Sequence, residues 1–231
     1  MSTAFVRDLE FLPIADFPGR VAQCRFALAE YSDQLFSHLA IPFPTHLSRA
    51  VTKRRAEYLA GRYLARLLLA QFGYPNVILP RGEDRAPCWP TGIIGSLSHN
   101  IDTVLCAVQP TTGRVGVGID VESCLSIERA EELLAMIAQD SEAAWLRQQG
   151  YRFDFLLTLL FSAKESLFKA VYPHVGCYFD FLDAMIVELN LPQGYFELEL
   201  QKTLNVCFYR GRRFSGRFWF NDQRVTTLLY F

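Results

Sequence analysis

The hydrophobic positions of the chain follow a helical period in three long stretches. The first, residues 48–72, carries one broad apolar stripe and stops at Gly73, so it predicts a helix. The second, residues 126–150, begins at Ser126 with an imperfect capping box. The third, residues 153–173, is strongly apolar, and Pro173 is predicted to end it because proline removes a helical hydrogen bond.

Between and after the helices, the hydrophobic positions alternate with a period of two or form short apolar runs, which is typical of β-strands. A hairpin through residues 110–114 is predicted to lead from one strand into the next, and turns separate five short strands near the end of the chain. The predicted strands cover residues 21–30, 93–100, 102–109, 116–124, 183–190, 195–201, 205–211, 212–220 and 224–231.

Each half of the chain therefore contains a long helix and several strands that are mostly antiparallel. This arrangement predicts an α+β fold with two similar lobes, residues 1–114 and 115–231, joined by a hinge near residue 115. No repeat in the amino-acid sequence itself proves the duplication.

Composition narrows the possible partners and environment. The 231 residues are 51% hydrophobic and 20% charged, as expected of a globular protein, and the formal net charge of −1 provides no global field for nucleic acid or a membrane surface. No apolar run is long enough to span a membrane, and the first residues lack the apolar core of an export signal. The six cysteines show no zinc-ligand spacing. We expect free, buried thiols in a cytoplasmic, monomeric protein.

Two acids occupy the predicted strand at 116–124. The period of two places Asp120 and Glu122 on the same face, where the two negative charges repel each other. In the third helix, Glu165 and Lys169 are four residues apart and share a face. Three carboxylates from two elements are suitable ligands for Mg²⁺. The alternative is an exposed strand with two solvated acids and an ordinary helical Glu/Lys pair.

Three blocks along the chain together resemble a known family. "GSLSH" (95–99), "GVGIDVE" (116–122) and "FSAKESLFKA" (161–170) are similar to the signature blocks of the surfactin-type and enterobactin-type 4'-phosphopantetheinyl transferases. Two further blocks, at 53–66 and 81–90, resemble the enterobactin branch. The resemblance covers most of residues 48–180 and implies the two-lobed fold of that family, with the active site in a cleft between the lobes.

The resemblance also implies an activity for the second lobe. Such enzymes transfer the 4'-phosphopantetheine arm of coenzyme A to a serine of an apo acyl, peptidyl or aryl carrier protein and release adenosine 3',5'-bisphosphate. By resemblance, Asp120, Glu122 and Glu165 hold Mg²⁺ on the pyrophosphate. Lys169 contacts the same phosphates, and the candidate base for the carrier serine is Glu165 or a metal-bound water that it orients. Val121, between the acids, offers the metal only its backbone carbonyl. The enterobactin-like blocks favour carriers of siderophore assembly.

The first lobe is expected to hold the nucleotide end of coenzyme A. By resemblance, His99 and Ser98 contact the 3'-phosphate. Arg54 and Arg62 point within about 80° of each other on the first helix. Arg81 and the following residues are expected to close over the adenine, and Lys164 is expected to bind phosphate or to support the site. The residues after Arg81 that are expected to lie over the adenine are Gly82, Glu83 and Asp84. The alternative is that the histidine is an ordinary loop residue and the arginines are solvated.

Two other functions remain open from the sequence. The alternatives are a coenzyme A-binding module without transferase activity and a Mg²⁺-dependent phosphohydrolase. The arginines near the C-terminus, among them Arg212 and Arg213, alternate with aromatic residues. This pattern suits a hairpin with one basic face, and also a surface for an acidic carrier protein.

Overall fold

The computed structural model of the protein describes residues 4–83, 86–113, 115–221 and 223–231. The chain divides into two compact units, the first ending at Gly113 and the second at Phe231. Each unit combines one long helix with one antiparallel sheet, so the predicted α+β class with a repeated plan is confirmed.

The first unit has a four-stranded sheet with the long helix against it. Its strands are β1 (Val6–Leu12), β2 (Arg20–Phe26), β3 (Ile93–His99) and β4 (Thr103–Pro110), in the order β1-β2-β4-β3. Its helices are α1 (Gln34–His38) and α2 (Thr52–Ala70). Leu59, Leu64 and Leu68 of α2 are fully buried in one core with apolar side chains of β2 and β4, so the predicted apolar stripe faces the sheet.

Among its described residues, the second unit has a five-stranded sheet and three α-helices. Its strands are β5 (Val117–Ser123), β6 (Ala184–Asn190), β7 (Tyr195–Leu200), β8 (Arg213–Asn221) and β9 (Arg224–Tyr230), in the order β5-β9-β8-β7-β6. Its helices are α3 (Ile127–Ile137), α4 (Asp140–Arg147) and α5 (Phe153–Val175). Helix α5 packs on β5 and β9 through a core that includes Leu160, Leu167 and Val225.

The backbones of β5 and α5 approach each other closely at Gly118. A Cβ atom at this position would lie 1.8 Å from the carbonyl oxygen of Ser166 and 3.0 Å from the amide nitrogen of Ala170. Because both neighbours are backbone atoms of a helix, they cannot rotate away. Only glycine permits this approach, which fixes the distance between the strand and the helix.

The predicted hairpin through residues 110–114 is wrong. Strand β4 pairs with β2 and β3 in the first sheet, whereas β5 pairs with β9 in the second. The alternation of apolar residues reports that each strand needs a buried face, but it carries no information about which strand lies alongside. The partner of β5 follows it by about a hundred residues, beyond the reach of any local pattern.

Three helix boundaries also differ from the prediction. The region 126–150 forms two helices, although Ser126 caps the first one as expected by accepting a hydrogen bond from the amide of Arg129 at 3.2 Å. Pro173 does not end α5, because a helix tolerates the loss of one hydrogen bond in its last turn. The helix ends instead at Gly176, which adopts a left-handed conformation with φ +62°.

Two strand predictions need correction as well. Residues 205–211 do not form a strand, because the side chain of Asn205 accepts hydrogen bonds from the amides of Cys207 and Phe208 and folds this segment into a turn. Strand β1 was not predicted, since its side chains are mostly exposed and show no alternation.

The cysteines agree in part with the expectation of free, buried thiols. All six cysteines are free, but only Cys24 and Cys106 are buried, and burial raises the pKa of the Cys24 thiol to about 12.

Among the described residues, no helix combines the length and the apolar character that crossing a bilayer requires.

The close approach at Gly118 predicts a position-specific loss of stability. The substitution Gly118→Ala should lower the free energy of unfolding by about 3 kcal/mol, because the strand must move away from α5. Gly61→Ala is the control, since its Cβ would meet atoms no closer than 3.8 Å. That change should be neutral or stabilise the helix by about 0.5–1 kcal/mol. Urea unfolding measures both, and equal effects would contradict the prediction.

Candidate active site

Strand β5 and helix α5 bring four charged side chains together, here called the acid site: Asp120, Glu122, Glu165 and Lys169. Asp120 is 2% exposed, whereas Glu122 is half-buried on the same strand face. Lys169 lies one turn beyond Glu165 on α5. Its ammonium group donates hydrogen bonds to Asp120 Oδ1 at 2.7 Å and to the carbonyl of Ile119 at 3.2 Å.

The acid site holds more negative charge than Lys169 balances. Burial, followed by repulsion from Asp120 and Glu165, raises the pKa of Glu122 to about 8, against the opposing effect of Lys169. Burial also raises the pKa of Glu165, with a smaller contribution from Asp120. The Glu122 carboxyl group therefore favours the neutral form at neutral pH unless a further cation comes close, and burial shifts the pKa of Glu165 in the same direction.

We tested whether the acid site suits a divalent cation. In the part of the chain that the structure describes, no group of three or more His, Cys, Asp or Glu side chains is arranged to hold a metal ion. The donor chemistry nevertheless fits Mg²⁺, which binds carboxylate oxygens and keeps several waters. Burial, and to a smaller extent repulsion, raises the pKa values of Glu122 and Glu165, and a cation would oppose both effects. By charge and donor type, these residues fit the ion.

Buried hydroxyl groups support the acid site from behind. Thr227 of β9 lies directly opposite Asp120 of β5. Its hydroxyl contacts the hydroxyls of Ser162 and Ser166 on α5 at 2.9 and 2.7 Å, and Ser166 also donates to its backbone carbonyl at 3.1 Å. These bonds tie α5 to the neighbouring strand beside Asp120. These hydrogen bonds were not predicted from the sequence, although the two serines are four residues apart and share a helix face.

Lys164 has a supporting position, which is the second of the two roles expected for it from the sequence. Its side chain is 2% exposed, and its ammonium group donates to Glu142 Oε2 and to the carbonyl of Ile137, both at 2.7 Å. Glu142 in turn accepts a hydrogen bond from the amide of Ile186 at 2.7 Å. The pair thus joins α5, the end of α3, α4 and β6. Burial lowers the pKa of Lys164 and raises that of Glu142, while their mutual attraction opposes both shifts.

The first unit contains a cavity of about 310 Å³, here called the cationic cavity. Among the described residues, Gly82 and Glu83 do not line it, and the expected residue Asp84 lies outside the described residues. The other residues that were predicted to bind the nucleotide in this unit line it: Arg54, Arg62, Arg81, Ser98 and His99.

A carboxylate lies beside two of the polar side chains in this cavity. Arg54 Nη1 lies 3.0 Å from His99 Nε2, and since arginine can only donate, the imidazole accepts through this nitrogen. Glu57 Oε2 lies 3.5 Å from Arg54 Nη1 and 3.6 Å from His99 Nε2. Glu57 is 8% exposed and was not predicted. Its position three residues after Arg54 on a helix was the available signal.

The pKa of His46 reflects the positive charge around the cavity. Burial, and then the charges of Arg81, Arg62 and Arg54, lower the pKa of its imidazole. The three arginines therefore converge on one space, although they come from α2 and from the segment before β3. His46 was not predicted from the sequence, because the loop that contains Pro42 and Pro44 shows no period that would place its side chain.

The arginines near the C-terminus interact with groups of their own unit. Arg213 forms ion pairs with Glu197 at 3.1 Å and with Glu199 at 2.9 Å, both on the neighbouring strand β7. Arg212 lies over the rings of Phe208 and two other phenylalanines. These contacts favour the hairpin interpretation of the basic pattern.

Comparisons with known proteins identify relatives for both units. The family model of the 4'-phosphopantetheinyl transferase N-terminal domain matches residues 43–109. The model of the 4'-phosphopantetheinyl transferase superfamily matches residues 116–228. The first match contains the arginines of the cationic cavity, and the second contains the whole acid site.

Individual relatives agree with these models. Enterobactin synthase component D of Escherichia coli K12 is 39% identical over 67% of this chain and 72% of its own length. The protein of the same name from Salmonella typhi is 32% identical over 84% of this chain and 86% of its own length. 4'-Phosphopantetheinyl transferase Npt of Nocardia iowensis is 35% identical over 69% of both chains.

The buried ion pair predicts a large effect of Lys164→Met on stability. The variant leaves the carboxylate of Glu142 buried without its counter-ion, which should lower the free energy of unfolding by about 3–5 kcal/mol. Lys202→Met, in the exposed pair with Asp183, should change it by less than about 1 kcal/mol. Adding Glu142→Gln to Lys164→Met should restore part of the loss in urea unfolding. Equal stability of the two lysine variants would contradict this prediction.

The positive field predicts how His46 responds to an anionic ligand. In the free protein, NMR titration of the ring should give a pKa below the ordinary value of about 6.5. Adenosine 3',5'-bisphosphate should raise this pKa, because its negative charge offsets the arginines. The ring signals of His38, outside the cavity, are the reference and should not respond to the nucleotide. A His46 pKa that does not rise would argue against anion binding in the cavity.

Proposed function

The chain belongs to the 4'-phosphopantetheinyl transferase superfamily and is a transferase, and we propose that coenzyme A and an apo carrier protein are its two substrates. The 4'-phosphopantetheine arm moves to a serine hydroxyl of the carrier, and adenosine 3',5'-bisphosphate is released in a Mg²⁺-dependent reaction. The names of relatives that are components of enterobactin synthase support peptidyl or aryl carrier domains of siderophore assembly as the acceptors.

The observation that carries this proposal is the acid site, with its excess of negative charge beside Lys169. Asp120, Glu122 and Glu165 would hold Mg²⁺. When bound, the ion supplies positive charge that neutralises the pyrophosphate oxygens during transfer. Lys169, held by Asp120, donates a hydrogen bond to the same oxygens and stabilises the departing α-phosphate.

Glu165 is proposed as the base for the carrier serine. The raised pKa of its carboxyl group increases its affinity for a proton. As the serine oxygen forms a bond to the β-phosphorus, its proton passes to a carboxylate oxygen of Glu165. The bond from the β-phosphorus to the oxygen of the α-phosphate breaks, and the nucleotide leaves with that oxygen.

The cationic cavity is proposed to hold the nucleotide end of coenzyme A. Its three arginines and His99 provide donors for phosphate oxygens, and the lowered pKa of His46 indicates a field that attracts anions. Lys164 takes no direct part, because the protein already occupies its ammonium group. The two groups of residues thus have separate tasks, nucleotide binding in the first unit and phosphoryl chemistry in the second.

The proposal predicts the outcome of a transfer assay. Mass spectrometry should detect one added phosphopantetheine on an apo peptidyl or aryl carrier after incubation with the protein, coenzyme A and Mg²⁺. Glu165→Gln should lower kcat/KM by at least about 100-fold, because the base is lost, while binding of coenzyme A remains. Glu188→Gln, on the exposed side of β6, is the matched control and should keep full activity.

Four results would contradict parts of the proposal. If no carrier receives the arm, the proposed acceptors are wrong, and if coenzyme A is consumed by water alone, the protein is a phosphohydrolase. Normal turnover by Glu165→Gln would remove the assignment of the base. Full activity after removal of divalent cations by a chelator would exclude the role of Mg²⁺.

A further inference from the structure

Arg62 differs from the other arginines of α2 in how the protein holds it. It is 8% exposed and lines the cationic cavity. Its Nε atom is buried without a hydrogen-bond partner, and Arg62 forms no hydrogen bond or ion pair with any described residue. Arg54 and Arg55, by contrast, have the carboxylates of Glu57 and Asp33 as partners. A buried guanidinium group without an acceptor is costly unless a ligand supplies one.

The contact that holds Arg62 is the ring of Tyr58. The guanidinium carbon lies 4.6 Å from the centre of this ring, one helical turn earlier on α2. The ring is itself fixed on other sides. Phe36 stacks on it at a centroid distance of 6.4 Å, and His46 approaches with its ring at 76° and 5.6 Å. Side chains from two other segments therefore determine where the Tyr58 ring lies.

An aromatic ring and a carboxylate have opposite consequences for a bound arginine. A carboxylate accepts hydrogen bonds from the edge of the guanidinium group and so uses its donors. A ring contacts the face of the group and leaves the N–H donors at the edge available. In the cationic cavity the ring contact thus restricts the orientation of Arg62. At the same time it leaves the N–H donors of Arg62 available to bind an anion.

We propose that Tyr58 is a positioning residue that holds Arg62 in the cationic cavity with its hydrogen-bond donors available to a phosphate group of the nucleotide. This inference rests on the proposed function of the cavity. Tyr58 acts through its ring face, so its hydroxyl group is not required. When the nucleotide binds, its phosphate oxygens would supply the hydrogen-bond acceptor that Arg62 Nε lacks.

The test compares Tyr58→Phe, which keeps the ring, with Tyr58→Leu, which removes it. Isothermal titration calorimetry measures the Kd of adenosine 3',5'-bisphosphate, and the transfer assay measures KM for coenzyme A and kcat. Tyr58→Phe should bind within about twofold of the unchanged protein, whereas Tyr58→Leu should raise both Kd and KM by about 3- to 30-fold. The kcat should stay the same, because the acid site is untouched, and a melting curve checks that the variants are folded.

A double-mutant cycle shows whether the effect passes through Arg62. Arg62→Met should weaken binding, and adding Tyr58→Leu to it should weaken binding no further. Arg66→Met is the matched control, because Arg66 lies on the same helix and packs on Tyr63 but does not line the cavity. This control should leave the Kd unchanged.

The outcomes separate this inference from the proposed function. Unchanged binding by Tyr58→Leu, weak binding by Tyr58→Phe, or additive effects of Tyr58→Leu and Arg62→Met would overturn the positioning role even if transfer occurs. If no carrier is modified but Tyr58→Leu still weakens binding of the bisphosphate through Arg62, the positioning role stands and the proposed reaction fails.

Discussion

The candidate chemistry of the second unit depends on how closely β5 packs against α5. At Gly118 the strand touches the helix backbone at a distance that excludes any side chain. Two residues later on the strand, Asp120 reaches the ammonium group of Lys169. The hydroxyls that join α5 to Thr227 act in the same direction. If the strand were displaced by the size of a methyl group, the acids and the lysine would lose this geometry together.

A net charge of −1 conceals two local fields of opposite sign. In the second unit, burial and the neighbouring carboxylates raise the pKa of Glu122 to about 8, and in the first unit, burial and the arginines lower the pKa of His46. Such fields persist because packed helices and strands prevent the like charges from moving apart. A protein can therefore attract a cation and a phosphorylated ligand at different places without a strong overall charge.

Two lysines on α5 show how burial decides the use of a charge. Lys164 is almost entirely enclosed, and its bonds to Glu142 and Ile137 stay within the protein. Lys169 keeps 25% of its side chain exposed while it bonds to Asp120. The first charge therefore contributes to the packing of α5, and the second remains accessible to a ligand. The same contrast separates the arginines of α2, where carboxylates hold Arg54 and Arg55 and a ring holds Arg62.

The amino-acid sequence by itself determined the long helices, most strands, the α+β class and the family, because periodicity and local motifs lie within short stretches. It also indicated Asp120, Glu122, Glu165 and Lys169, whose relation follows from the pleat of one strand and one turn of a helix. Only the tertiary structure decided that β5 pairs with β9, that Lys164 neutralises Glu142, and that Tyr58 holds Arg62 within the cationic cavity. The hydrophobic period along the sequence indicates which face of a helix or strand is buried. The partner of a buried charge, by contrast, depends on segments that meet only when the chain packs.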